Sequence, residues 1–281
     1  MRVVVTGAAG QLGRAIVARF SAAHEVVALT RADLDLGRHH DVMRIVGGSG
    51  AGVVVNCAAY NHVDQAEEDV AGALDGNAFA VRSLARAAAE AGATFVHYST
   101  DFVFDGETER PYTEEDAPRP KSVYGQSKLL GEWFALDAGA FVLRVESLFG
   151  GPKPRSSVDR IIEALESGRD ARVFVDRTVS PSYVDDVADA TAALLARAAP
   201  AGLYHCVNSG EATWHDLGVE IARLLHRPAR LTPVHVHDVP MRALRPRYCV
   251  LSNAKLTAAG VPMPTWQEAL ARYVARVKGE G

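Results

Sequence analysis

The chain has 281 residues, of which 48% are hydrophobic and 23% charged, and this composition is typical of a globular protein with a full hydrophobic core. Its net charge is −4 and its basic residues are scattered, so the pattern argues against a nucleic-acid partner. It has 3 cysteines with no close pair, which argues against a disulfide framework or a zinc knuckle.

Apolar runs in the sequence are short. The first run, at residues 3–5, meets a glycine almost at once, and no later stretch approaches the roughly 18 apolar residues of a membrane span. We therefore predict a protein that has no membrane partner and is cytoplasmic.

Strand and helix patterns alternate along the first half of the chain. Runs that are apolar on both faces are typical of parallel strands, and their alternation with helices indicates a doubly wound sheet. The sequence thus predicts an α/β fold of Rossmann type. The predicted strands are residues 3–5, 26–29, 53–56, 94–98 and 141–145, and the predicted helices are residues 15–17, 77–91 and a segment from about 126.

The alternation loosens after Gly150. Strand-like runs at 173–175 and 203–207 and helical runs at 183–199 and 213–225 are followed by six prolines between residues 228 and 264, which favour loops. We predict a dinucleotide-binding domain at residues 1–150, completed by parts of 170–207. The remainder of 151–281 is predicted to form mainly a smaller, interleaved substrate-binding lobe.

A glycine-rich turn follows the first predicted strand and opens a helix. Gly7, Gly10 and Gly13 are spaced so that backbone N–H groups can approach a pyrophosphate at a helix N-terminus. The spacing differs from the usual G-x-G-x-x-G, and a purely structural turn is the alternative. Gly7, Gly10, Gln11, Leu12 and Gly13 are predicted to bind a dinucleotide.

Arg31, Asp35 and Leu36 follow the second predicted strand. A carboxylate here can bind a ribose hydroxyl, and Arg31 can neutralise a 2′-phosphate, so we predict NADPH with NADH as the alternative. Asp35 and Leu36 can instead cradle the adenine. A solvated surface arginine is the competing interpretation of Arg31.

The third predicted strand ends at Asn56 and is followed by two small residues. The carboxyl ends of parallel strands line the ligand crevice, and small side chains let a cofactor lie against the backbone. The residues predicted to contact the cofactor here are Ala58, Ala59, Tyr60 and Asn61.

Tyr124 and Lys128 are four residues apart, one helical turn, so both can face one crevice. Hydride arriving at a carbonyl carbon leaves negative charge on the oxygen, which Tyr124 can protonate while Thr100 donates a hydrogen bond. Lys128 is predicted to favour the phenolate of Tyr124, whose unperturbed pKa is about 10, and can also anchor the nicotinamide ribose. A chance exposed pair on a helix is the alternative.

These motifs together resemble the extended short-chain dehydrogenase/reductases, and more closely the dTDP-4-dehydrorhamnose reductase family. The likeness covers nearly the whole chain, and its most specific part is S-T-D-F-V-F-D-G at residues 99–106. The resemblance implies that Thr100, Tyr124 and Lys128 are catalytic. It further implies that Tyr98 lies near the cofactor and that Thr100 and Asp101 lie near the sugar.

Three positions bear on which relative this chain resembles. Similar dehydratases carry an acid where this chain has Phe102, and an aromatic ring cannot transfer the proton that loss of water requires. Ser147 stands where the family typically has a tryptophan, so a differently shaped deoxysugar is expected in its pocket. Some members pair through magnesium held by glutamates, but Ala15 occupies one matching position, which argues against a magnesium-bridged homodimer while leaving a homodimer open.

Two features of the late segment are open to more than one interpretation. Arg247 is a candidate for the substrate diphosphate, with an exposed loop charge as the alternative. His235 and His237 would share one face of a strand, but without a third ligand we interpret them as a polar face and predict no metal site.

The sequence thus predicts NAD(P)H-dependent reduction of the 4-keto group of a dTDP-4-keto-6-deoxyhexose. The predicted substrate contacts are Thr100, Asp101, Phe102, Tyr124, Ser147 and Arg247. One alternative is a non-catalytic NADP-binding regulatory subunit, against which the intact Thr100, Tyr124 and Lys128 argue. The other is a nucleotide-sugar epimerase of the same fold.

Overall fold

The computed structural model describes residues 1–151 and 156–279. Its strands, in chain order, are β1 (Arg2–Thr6), β2 (Glu25–Leu29), β3 (Val53–Asn56), β4 (Thr94–Thr100), β5 (Phe141–Val145), β6 (Leu148–Phe149), β7 (Ala171–Phe174), β8 (Thr178–Val179), β9 (Ser182–Tyr183), β10 (Gly202–His205), β11 (Ala212–Thr213) and β12 (Leu231–Val234).

The α-helices lie between and after these strands. They are α1 (Gln11–Ser21), α2 (His39–Val42), α3 (Val70–Leu74), α4 (Ala80–Glu90), α5 (Val123–Asp137), α6 (Ser157–Glu166), α7 (Val184–Ala196), α8 (Trp214–Leu224), α9 (Ala254–Ala258) and α10 (Trp266–Lys278). Short π-helical segments at Met43–Gly47 and Asp75–Phe79 extend α2 and precede α4, and 3₁₀ turns occupy Gln65–Glu67, Asp101–Val103 and Val236–Asp238. Among the residues described, no helix combines the length and apolar character needed to cross a bilayer.

The main sheet contains six strands in the order β10-β5-β4-β3-β1-β2, and every neighbouring pair is parallel. The strand order reverses direction at β1, which lies between β3 and β2. This arrangement confirms the predicted α/β fold with a doubly wound sheet. Ligand crevices in such sheets lie at the carboxyl ends of the strands near the reversal.

Alternating residues of the central strands enter two separate apolar cores. Val3 and Val5 face a large core that also contains residues of α1, α6, α7, α8 and α10. Val4 faces the opposite core, to which α4 and α5 contribute. Because both faces are covered by apolar side chains, the strands read as continuous valine-rich runs rather than as alternating patterns.

The chain beyond residue 150 adds one strand to the main sheet and also forms elements outside that sheet. β10 pairs with β5 at the edge of the main sheet, and α7, which precedes it, packs on α1. The remaining short strands form two-stranded pairs, namely β7 with β12, β8 with β11 and β6 with β9. The residues after β5 are therefore interleaved with the Rossmann-type layer.

Candidate active site

The carboxyl ends of β3, β4 and β5 meet the first turn of α1 around a cavity of about 320 Å³, called here the central cavity. Most of the predicted catalytic and cofactor residues border it. The lining includes Gly10, Gln11, Leu12, Asn56, Ala58, Ala59, Asn61, Tyr98, Thr100, Asp101, Phe102, Tyr124, Lys128, Glu146 and Ser147.

Two glycines allow the turn between β1 and α1 to close tightly. Gly7 has φ +66°, and a Cβ atom on it would lie 2.5 Å from the backbone nitrogen of Ala58. A Cβ atom on Gly13 would lie 2.2 Å from the carbonyl oxygen of Gly7. Neither position can therefore carry a side chain without moving the backbone. These two glycines shape the turn and lie behind it rather than in the cavity lining.

The N-terminus of α1 presents unpaired backbone donors to the cavity. Its N-cap is Gly10, and within the described chain no side chain caps the first turn. Gln11 donates from Nε2 to the carbonyl oxygen of Gly150 at 2.8 Å, which ties this turn to the segment after β5. The free N–H groups and the helix dipole suit the diphosphate of a dinucleotide, so the residues present fit the predicted cofactor.

The residues predicted near the adenosine lie along a separate groove of about 430 Å³, which Arg31 and Asp35 line together with Arg38 and Arg44. Arg31 is exposed and forms no ion pair with any residue in the described ranges, whereas Arg44 pairs with Asp41. One carboxylate oxygen of Asp35 accepts a hydrogen bond of 3.1 Å from the backbone nitrogen of Gly37. Leu36 packs against the apolar core on the α4 side of the sheet.

A buried asparagine holds the segment after β3 against the helix that carries Tyr124. The side chain of Asn77 accepts from the Tyr60 backbone nitrogen at 2.8 Å and donates to the Tyr60 carbonyl at 3.1 Å. It also donates to Ser127 Oγ at 3.0 Å. Tyr60 therefore contributes its backbone here, while Ala58, Ala59 and Asn61 line the cavity. Sequence reasoning missed Asn77, whose only signal was an amide within an alanine-rich helical pattern.

α5 presents Tyr124 and Lys128 to the cavity. The helix begins at Val123, earlier than the predicted start near residue 126, because Ser122 caps it by accepting a hydrogen bond of 3.1 Å from the backbone nitrogen of Gly125. A Cβ atom on Gly125 would lie 2.3 Å from the carbonyl oxygen of Phe102, so a glycine here lets α5 lie directly against the end of β4.

Tyr124 is a buried phenol whose pKa is raised. Burial raises its pKa most, and the carboxyl of Asp101 raises it further, while a hydrogen bond with Thr100 acts in the opposite direction. This upward shift is opposite to the direction predicted from Lys128, whose ammonium is held at the Tyr98 carbonyl. Tyr124 is thus held as a protonated acid at neutral pH.

Lys128 is fixed by the backbone of β4. Its Nζ donates to the carbonyl oxygen of Tyr98 at 2.6 Å. Burial lowers the pKa of Lys128 to about 8, against opposing effects of Glu132 and Cys57. Tyr98 acts here through its carbonyl, since its hydroxyl forms a hydrogen bond of 2.6 Å with Thr191 in α7.

Phe102 separates Tyr124 from two arginines. Its ring meets that of Tyr124 edge-on at 5.5 Å. The guanidinium groups of Arg177 and Arg245 lie 5.5 and 5.6 Å from its ring centre. Arg247, the candidate for the substrate diphosphate, is exposed and lies outside the lining of the central cavity. No local pattern indicated Arg177, because it lies far along the chain in the short loop between β7 and β8.

Ser147 lines the cavity as predicted, in an unusual backbone conformation. Its φ is +44°, in the left-handed region that residues with side chains rarely adopt. Its carbonyl oxygen accepts a hydrogen bond from the backbone nitrogen of Ser182 at 3.4 Å. The structure therefore stores strain in the segment that follows β5, beside the central cavity.

The two histidines of the late segment do not share a strand face. β12 ends at Val234, and His235 and His237 lie in the turn that follows, with their rings stacked 5.4 Å apart. Asp176 supplies a third group, with one atom of each side chain within 4.8 Å of the others. The sequence could not show this third group because it lies on a separate loop.

Comparison with known proteins places these features in one family. The family model described as the RmlD substrate binding domain matches residues 1–278. A dTDP-4-dehydrorhamnose reductase from Streptomyces griseus is 39% identical over 96% of this chain and 91% of its own length. The reductase of the same name from Burkholderia thailandensis is 36% identical over 96% of this chain and 97% of its own length.

Solved structures agree with the sequence relatives. A dTDP-4-dehydrorhamnose reductase from Clostridium acetobutylicum is 33% identical, with a TM-score of 0.93 over 99% of this chain and 100% of that one. The Bacillus anthracis reductase, solved in complex with NADP, has 30% identity and a TM-score of 0.93 over 98% of this chain and 99% of that one. These matches confirm the resemblance inferred from the motifs and the predicted class of NAD(P)H-dependent oxidoreductase. The chain belongs to the RmlD substrate binding domain family, that of the dTDP-4-dehydrorhamnose reductases.

Proposed function

We propose that this chain uses NADPH to reduce the 4-keto group of a dTDP-4-keto-6-deoxyhexose. One observation carries the proposal: Thr100, Tyr124 and Lys128 border the same cavity as the uncapped first turn of α1. A reductase requires an acid, a cation and a diphosphate-binding turn around one reacting carbon. The named activities of the relatives, each a reductase of this type, agree with that arrangement.

The cofactor-binding residues have separate tasks. The bound dinucleotide supplies the hydride to C4 of the sugar. The backbone N–H groups of Gln11 and Leu12 would hold its diphosphate, and Arg31 would neutralise the 2′-phosphate that distinguishes NADPH from NADH. Lys128, whose ammonium is fixed by the Tyr98 carbonyl, orients the nicotinamide ribose by donating a hydrogen bond.

Tyr124 and Thr100 act on the carbonyl oxygen. As negative charge grows on that oxygen, Tyr124 transfers its phenolic proton, and Thr100 turns toward that oxygen the hydroxyl proton that it otherwise donates to Asp101. The raised pKa of Tyr124 keeps the proton in place until the oxygen becomes basic enough to take it. Because the phenol is buried and the cavity is small, the reacting atoms are shielded from bulk water.

Phe102 favours reduction over dehydration. Its ring lies against Tyr124 at the position where an acid would be needed to remove water, and it has no proton to give. The guanidinium groups of Arg177 and Arg245, which lie over the Phe102 ring, do not provide an alternative acid either. The Phe102 position therefore supplies no acid for loss of a hydroxyl, which agrees with hydride transfer to a ketone.

Oxidation of NADPH at 340 nm tests the proposal with a panel of dTDP-4-keto-6-deoxyhexoses. We expect stoichiometric loss of NADPH and a product reduced at C4, identified by mass and by NMR. Isomerisation of a nucleotide sugar without net loss of NADPH would show an epimerase instead. Binding of NADPH without turnover of any keto-sugar, together with tight association with another enzyme, would show a regulatory subunit.

A further inference from the structure

Glu146 is a buried carboxyl group that the proposed reduction leaves without a role. It follows the last residue of β5, just as Asp101 follows the last residue of β4, and those last residues, Val145 and Thr100, are paired across the sheet. Glu146 is 2% exposed and Asp101 3% exposed, and both line the central cavity with Tyr124. The fold thus places two carboxyl groups side by side next to the acid.

Each carboxyl group uses one oxygen to hold its position and leaves the other without a partner. Glu146 Oε2 accepts a hydrogen bond of 2.7 Å from the Ser180 backbone nitrogen, and Asp101 Oδ1 accepts one of 2.9 Å from Thr100 Oγ1. Glu146 Oε1 and Asp101 Oδ2 have no hydrogen-bond partner among the residues described. Buried polar atoms are rarely left unpaired, so these oxygens indicate a ligand.

The surrounding charges favour a neutral hydroxyl over a cation. Burial and the proximity of the two groups raise the pKa of Glu146, burial raises that of Asp101, and Arg177 opposes both shifts. Both shifts favour protonation, which lets one carboxyl donate a hydrogen bond while the other accepts. Cys249 lies within 4.8 Å of both, but its thiol is held protonated by burial, and the Arg177 guanidinium already supplies positive charge. A metal ion does not suit this set.

Thr100 fixes where that hydroxyl must lie. Its hydroxyl donates a hydrogen bond of 2.9 Å to Asp101 Oδ1, and it lines the central cavity together with Tyr124, the proposed acid. The carboxyl pair is thus one hydrogen bond away from the group that handles the carbonyl oxygen. On a hexose ring, the groups next to the C4 oxygen are the substituents of the neighbouring carbons, C3 and C5. The strained Ser147 follows Glu146 directly and holds its backbone in one orientation.

We propose that Glu146 is a specificity-determining residue which, with Asp101, hydrogen-bonds a hydroxyl group on C3 of the sugar, next to the reacting carbonyl. This inference rests on the proposed function, because it names the substrate class for the same cavity. It makes the chain selective for keto-sugars that keep the C3 hydroxyl. A 3-deoxy substrate would leave the carboxyl pair buried and unpaired, which disfavours its binding.

The test compares two substrates with two forms of the enzyme. Wild type should reduce the C3-hydroxylated dTDP-4-keto-6-deoxyhexose with a kcat/KM about 10- to 100-fold above that of its 3-deoxy analogue, as expected for a hydrogen bond to a charged group. Glu146→Leu, which removes both carboxyl oxygens and leaves a side chain of similar size, should lose about that factor on the hydroxylated substrate and less than about twofold on the 3-deoxy analogue. Its NADPH affinity should match that of wild type. Glu115→Gln, which removes an exposed carboxylate, is the control and should change neither substrate.

Equal losses on both substrates would assign Glu146 to packing or to a buried water and overturn the inference. Weakened NADPH binding would place the contact on the cofactor and would overturn it as well. If Glu146→Leu fails to fold, the wild-type comparison decides alone: equal kcat/KM for the two substrates contradicts the inference. Absence of wild-type turnover on both substrates would instead refute the proposed function.

Discussion

The ammonium of Lys128 donates a hydrogen bond of 2.6 Å to the carbonyl oxygen of Tyr98, so a residue of α5 is tied to the strand that ends at Thr100. The contact holds a charged group in a buried position, and burial lowers its pKa from 10.5 to about 8. Since Tyr124 has a raised pKa, Lys128 is the group of this pair that titrates first as the pH increases.

The first prediction concerns the alkaline limb of activity. We expect kcat/KM for NADPH, which reports on the free enzyme, to fall about tenfold per pH unit above a pH of about 8 as Lys128 loses its proton. Lys128→Arg keeps a charge that does not titrate in this range, so its profile should stay flat to about pH 10 even if its rate is lower. An unchanged limb in Lys128→Arg would assign the titration to another group.

The fall of kcat/KM at alkaline pH does not come from a loss of protein stability. Between pH 8 and 10.5 the unfolded chain keeps the Lys128 proton that the folded chain has lost, so this group makes the fold more stable as pH rises through that window. Melting temperatures measured across the same range should therefore not follow the fall in activity. A parallel fall in both would indicate alkaline unfolding instead.

The second prediction separates binding from chemistry at Tyr124. Tyr124→Phe removes the proton donor but keeps the ring that packs on Phe102, so kcat should fall by about 10²- to 10⁴-fold. NADPH affinity, measured by fluorescence titration, should change little. Tyr204→Phe, in β10, is the control: among the described residues its hydroxyl donates only to the Pro200 carbonyl, so its loss should leave turnover unchanged. A fully active Tyr124→Phe enzyme would remove Tyr124 from the mechanism.

The sequence predicted the sheet well because each central strand is a continuous apolar run. The runs of three valines in β1 and β3 are buried on both faces, which gives a clear strand signal. α6 and α10 were missed, since each carries charged residues along much of its length and packs in the late part of the chain. The place of β10 beside β5 follows from tertiary pairing, which no local pattern records.

The site was predicted where local spacing carries the chemistry. Tyr124 and Lys128 lie one turn apart on a helix, so the sequence alone predicts that both side chains face the same cavity. Arg177 could not be predicted, because its contact with Phe102 joins segments 75 residues apart in the chain. The upward pKa shift of Tyr124 likewise depends on burial, which spacing does not reveal.

The third prediction tests the preference for NADPH. Arg31 is exposed and has no ion-pair partner in the described part of the chain, so its guanidinium is free to meet a 2′-phosphate. Arg31→Ala should raise KM for NADPH about tenfold, since one charge-assisted hydrogen bond at an exposed site is lost, and should leave KM for NADH unchanged. Steady-state kinetics with both cofactors measure this. An equal change in both KM values would show that Arg31 does not read the phosphate.

The fourth prediction concerns the glycine turn. A methyl group on Gly13 would lie 2.2 Å from the Gly7 carbonyl oxygen, so Gly13→Ala must displace the first turn of α1. We expect a loss of at least about 2 kcal/mol in the free energy of unfolding and of most NADPH affinity. Gly10→Ala is the matched control, since its backbone is extended and the nearest atom lies 3.1 Å from the added carbon. Gly10→Ala should reduce the free energy of NADPH binding more than it reduces the free energy of unfolding. Equal losses in the free energy of unfolding for Gly10→Ala and Gly13→Ala would contradict this prediction.

The last prediction concerns an ion pair that the sequence did not reveal. Glu132 in α5 accepts two hydrogen bonds from Arg144 in β5, at 2.8 and 2.7 Å, and both side chains are almost fully buried. Arg144 also lies 4.8 Å from the ring centre of Phe104. The pair therefore joins the helix that carries Tyr124 to the strand that precedes Glu146.

Glu132→Gln leaves the guanidinium of Arg144 buried without its counter-charge, which should cost about 3 to 5 kcal/mol in the free energy of unfolding. Replacing both partners, Glu132→Gln with Arg144→Met, removes the unpaired charge, so the double variant should be more stable than the single one. Urea unfolding of the three proteins measures the difference. If the double variant were as unstable as Glu132→Gln alone, the cost would lie in packing around α5 rather than in a stranded charge.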